Sequence, residues 1–147
     1  MTTLFKWLTA IFAVMLASSL VSMMAAFVGS QGADFQDLLR LQAILVPVSI
    51  AIVVWCFALL IRQYGYEHGL RKFWRVLPGW LIFAVFVFNS LVLVAELSFI
   101  LIQYHTATAR PWQEHLPAAT ALSSSLALAA CYVCFRIYSD RESEQRL

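Results

Sequence analysis

Glu96 lies within the third of four long apolar runs and is the only acidic or basic residue inside any of them. The run from Gly79 to Gln103 has its middle at Leu91, which sets Glu96 roughly 8 Å along a helix from that point. The hydrocarbon half-thickness of a bilayer is ~15 Å, so the carboxyl group falls inside it. Placing a carboxyl there costs roughly 2.5–3.5 kcal/mol, a cost that makes the position a candidate for coupling to a proton or cation, or for bonding a neighbouring helix. Asn89 and Gln103 stand seven residues to either side of Glu96, so the three polar groups form one stripe on a helix of Phe, Leu, Val and Ile. Such a stripe is expected to face protein or water rather than lipid.

At the depth of Glu96 the sequence offers Ser22, Ser49, Thr120, Ser123 and Ser124 as partners, and no basic residue. Hydroxyl groups cannot neutralise a carboxylate, so Glu96 is expected to be protonated. His105, Glu114 and His115 are weak candidates for a divalent metal above Glu96, but their spacing matches no compact metal motif, and none is expected to bind. No histidine falls within a span to ligate haem, and no cofactor is expected.

Cys131 and Cys134 form Cys-Tyr-Val-Cys, which invites comparison with membrane thiol oxidoreductases, whose reactive pairs sit near the outer surface. Here the pair falls toward the opposite side, and Cys56 cannot complete an outer relay. The three are read as small apolar residues. Phosphate-binding glycine loops, a Ser-His-Asp constellation and nucleic-acid modules are absent from the sequence, and no residue pattern names a family.

These residues must be positioned by membrane helices. Of 147 residues 62% are hydrophobic and 12% charged, with mean hydropathy +0.79, a balance foreign to soluble domains. The predicted spans are about 7–28, 41–61, 79–102 and 116–135, making one integral-membrane four-helix bundle over residues 1–147. The first run is too long for a typical cleavable leader and is read as a span.

With a cytoplasmic N-terminus, Lys6, Arg62, Arg71, Lys72, Arg75, Arg136, Arg141 and Arg146 lie inside, leaving Arg40 and Arg110 outside. This bias predicts both termini cytoplasmic. Trp7, Trp74, Trp80 and Tyr138 then mark the inner interface, and Tyr104 and Trp112 the outer one. Two lysines against eight arginines, a single asparagine and no glycosylation sequon point to a bacterial inner membrane.

Small residues recur by fours in the first span, at Ser18, Ser22, Ala26 and Ser30 beside Ala13, Ala17 and Ala25. The last span repeats the device at Ala119, Ser123, Ala127 and Cys131. These two spans are the expected close-packed pair. Asp34 is expected to cap the second helix, with Asp37 in its first turn and Pro47 within it. Between the second and third spans, Leu70, Phe73, Trp74 and Leu77 share one helical face, with His68, Arg71, Lys72 and Arg75 on the others. The segment predicts a short amphipathic helix in the cytoplasmic interface, touching anionic membrane lipid through charge alone. Pro78-Gly79 should end it.

The expected function is that of a non-enzymatic multi-pass interaction or accessory protein, the stripe Asn89, Glu96 and Gln103 making helix or partner contacts. The partner is expected to be a second copy or another membrane protein, and not nucleic acid. The alternative is a small oligomeric transporter or channel in which Glu96 is a proton- or cation-coupled carboxylate.

Overall fold

The computed structural model describes residues 1–28, 33–76, 79–106 and 111–147, and within these helices not the side chains of Phe27, 33–36, 79–83, 85–86, Tyr104 and 111–113. Ser30, Leu77, Pro78 and Arg110 thus lie outside the described residues, as do the side chains of Asp34, Trp80, Tyr104 and Trp112. The described residues form helices α1 (Thr2–Val28), α2 (Ala33–Tyr64), α3 (Tyr66–Val76), α4 (Gly79–His105) and α5 (Pro111–Gln145), with no strand among them. Three are long and apolar enough to cross a bilayer, over Thr2–Ala26, Asp37–Tyr64 and Glu114–Gln145. In α4 the described apolar stretch is the shorter Val87–Gln103. The architecture is all-helical and compatible with a membrane protein.

The helices outrun the apolar runs that predict them. Pro111 opens α5, where its missing N–H and fixed φ suit a first helical position, so the helix already includes Glu114 and His115. His115 therefore stands within a helix, just before the start of the span the sequence predicts at about 116–135.

α5 is the central helix: α1, α2 and α4 each pack against it, whereas α1 meets α2 only slightly. The composition of α5 explains its place, because Ala119, Ser123, Ala127, Ala130 and Cys131 are buried and small enough to admit neighbouring backbones. The expected α1·α5 pairing is present, with Ser22 of the ladder buried and Ser18 and Ala25 half-buried, but the buried face is shifted to one side of that ladder. Among the described side chains the buried ones are Phe5, Phe12, Met15, Ser19 and Ser22, at successive spacings of seven, three, four and three, while Ala13, Ala17 and Ala26 are exposed. Larger apolar groups at the three-four spacing outcompete the alanine face because each removes more surface from its surroundings and fills the gaps beside a small-residue partner.

Thr2 Oγ1 donates to the Glu142 carboxylate at 3.0 Å, and Phe5 stacks on Tyr138 at 5.5 Å, so α1 and α5 run antiparallel with the chain ends together. α3 folds back beneath this end. Gly65, at φ +76°, makes the reversal, and Gly69 permits the close approach, since a Cβ there would stand 2.9 Å from the Leu60 carbonyl oxygen. Phe73 is buried against Phe57, Leu70 and Trp74 are half-buried, and His68, Arg71, Lys72 and Arg75 are exposed, as an amphipathic surface helix requires.

Candidate functional site

α4 presents its polar stripe to α5. Asn89 Nδ2 donates to Ser125 Oγ at 3.4 Å, and one heptad further out Glu96 Oε2 lies 2.7 Å from His115 Nδ1. Their side chains are 26% and 30% exposed, so the pair sits at the edge of the helix contact rather than in its centre. Phe99, one turn beyond Glu96, meets the imidazole edge-on at 4.6 Å, so α4 holds the ring with a carboxyl group and an aromatic face.

This pairing corrects the expectation that no basic group reaches Glu96. The Glu96–His115 bond needs one proton between its two heavy atoms. Either Nδ1–H donates to a carboxylate, or a carboxylic acid donates to Nδ1. One hydrogen bond thus joins two side chains on neighbouring helices.

Of the five hydroxyls expected as partners, all but Ser124 are occupied otherwise. Ser22 donates to the Ser18 carbonyl, Ser49 to Leu45, Thr120 to Leu116 and Ser123 to Thr120, all within their own helices. Serine and threonine in a helix reach back to carbonyls three or four residues before them, so their protons are not offered across the interface.

Helical register places a further polar residue at the level of the pair. Val46 of α2, Leu93 of α4 and Ala119 of α5 share one apolar cluster. One turn outward from these lie Gln42, Glu96 with Leu97, and His115, so α2 brings Gln42 to the same level. Gln42 is fully buried, and neither its amide nitrogen nor its oxygen has a hydrogen-bond partner. Gln103 Oε1 and Ser124 Oγ are likewise buried without partners. Gln42 was missed from the sequence because it reads as the polar entry to an apolar run, although its four-residue spacing from Val46 marks the same face.

His105 and Glu114 are exposed, and among the described residues no three metal-ligating side chains gather as a metal site would require. At the opposite end of the bundle Cys56 and Cys131 come within 3.9 Å through sulfur, and Cys134 Sγ lies 3.9 Å from the Cys56 carbonyl oxygen. All three thiols are free and buried, so the tertiary fold joins a cysteine that sequence spacing left apart.

Comparison with protein-family models, with curated proteins and with solved structures found no match to this chain.

Proposed function

We propose that this chain is a non-enzymatic multi-pass membrane interaction protein of a bacterial inner membrane, with four spans and both termini cytoplasmic. The observation that carries the reading is the use of the stripe: Asn89 and Glu96 each bond a residue of α5. Polar contacts of this kind hold membrane helices together where lipid gives no hydrophobic drive for association. They fasten one side of α4 and leave Phe88, Leu91, Val94, Leu101 and Ile102 outward. The partner is a second copy or another membrane protein. The sidedness rests on the basic residues, most of which share the end holding both termini.

Extraction in mild detergent, sizing and identification of co-purifying protein test the interaction. A lone protomer, with a phenotype unaffected by Glu96→Leu, would defeat it. Cysteine labelling in intact cells tests the topology. Cysteines replacing Lys72 and Glu144 should be shielded from outside, and those replacing Asp37 and Trp112 should react.

The second reading is the small transporter or channel. It is favoured by the hydrogen bond between Glu96 and His115 and by the unpartnered amide of Gln42 at their level. It ranks second because Phe12, Met15, Cys56, Leu60 and Val133 fill the bundle toward the termini with apolar and sulfur groups, which offer an ion no coordination. Glu96→Gln separates the readings: an ion-coupled carboxylate loses function with assembly intact, whereas a helix-bonding one keeps both.

A further inference from the structure

The end of the bundle that holds both termini carries a cleft of about 470 Å³, remote from the polar stripe. Lys72 and Arg75 of α3 line it together with Arg141, Asp140 and Glu144 of α5. Among the described residues no ion pair within 4.0 Å joins these cations to the two carboxylates. Three positive charges face two negative ones, leaving the lining one charge short of neutrality.

Tyr64 forms part of the apolar floor with Val76 and Ile137. The Lys72 ammonium lies 3.9 Å above its ring, and its hydroxyl is buried without a hydrogen-bond partner. Three cations without an ion-pair partner on one lining, beside an aromatic ring that already holds one of them, call for an anion with several oxygens. The cleft also has a definite level. It lies where the apolar helices α2 and α5 give way to charge and where α3 lays down its amphipathic face, which is headgroup depth.

We propose that this cleft binds the phosphodiester of an anionic membrane phospholipid whose headgroup carries hydroxyls. Lys72, Arg75 and Arg141 take the phosphate oxygens, and its single negative charge neutralises the lining. Asp140 and Glu144 accept hydrogen bonds from the headgroup hydroxyls. The four basic groups expected to act together therefore divide: Lys72 and Arg75 line the cleft, while His68 and Arg71 stand outside it.

Native mass spectrometry of the full-length protein with dioleoyl phosphatidylglycerol and dioleoyl phosphatidylcholine tests this. Arg141→Gln and Arg71→Gln remove the same charge, one inside the cleft and one outside. Arg141→Gln should weaken phosphatidylglycerol binding about tenfold and Arg71→Gln less than about twofold, a contrast that persists in high salt. Equal losses from Arg71→Gln and Arg141→Gln would mean diffuse surface charge and overturn the site. Equal binding of phosphatidylcholine would overturn the headgroup assignment, and displacement by glycerol 1-phosphate at the lipid's own concentration would assign the cleft to soluble phosphate esters instead.

Discussion

The two ends of the bundle are built from different materials. Toward the termini, Phe5, Phe12, Cys56, Leu60, Phe73, Val133 and Cys134 form one closed apolar cluster, with Phe5 between Trp55 and Tyr138. Toward the other end the buried polar residues Ser19, Ser22, Gln42, Ser49, Thr120, Ser123 and Ser124 lie among the apolar Val46, Leu93, Ala119 and Leu126. The aromatic end gains dispersion contacts from interlocking shapes. The polar end is close-packed by small hydroxyl residues whose protons return to their own helices, and it leaves the amide of Gln42 unanswered. Aromatic packing is thus concentrated at one end, and buried small hydroxyl residues at the other.

The contrast can be broken most forcefully at Phe73. Truncating Phe73→Ala should cost about 3–5 kcal/mol, as for a buried aromatic elsewhere, and release α3 from α2. Ser123→Ala, equally buried at the polar end, should cost less than about 1 kcal/mol, because only a bond to its own helix is lost. Detergent-induced unfolding followed by circular dichroism compares the two, and equal losses would erase the distinction between the ends.

Next in size is the Glu96–His115 link. A double-mutant cycle of Glu96→Leu and His115→Leu should return a coupling of about 1–2 kcal/mol, at the upper end of the range for polar contacts between membrane helices. Additive losses would show that α4 is held by apolar packing alone.

Gln42→Leu should move stability the other way. It removes two unpartnered buried polar atoms with little change in volume, so the protein should gain roughly 1 kcal/mol. A loss instead would reveal that the amide has a partner in the native membrane and would strengthen the ion-coupled reading.

The smallest perturbation probes the aromatic end. A membrane-permeant oxidant such as iodine should join Cys56 to Cys131, whose sulfurs already lie 3.9 Å apart. The link should appear as faster migration without reductant and as a crosslinked peptide by mass spectrometry. Recovery of a Cys131–Cys134 product alone would contradict the packing of α2 on α5.

The apolar runs, the amphipathic segment around Phe73 and the alignment of Asn89, Glu96 and Gln103 were legible in the sequence because each depends on periodicity within one helix. The close pairing of α1 with α5 was legible too, since small residues on both announce it, although the face used by α1 was not. Its choice depends on how Phe12 and Met15 fill the space beside α5, which only two helices together define. His115 shows the same limit. Counting along the chain puts it at the edge of a span, whereas the early start of α5 at Pro111 and its packing on α4 bring the imidazole to Glu96. Gln42, the Cys56–Cys131 contact and the cleft between Arg75 and Arg141 likewise join residues far apart in sequence. Local spacing fixes which face of a helix a residue occupies, but the neighbour that meets that face is set by the packing of whole helices.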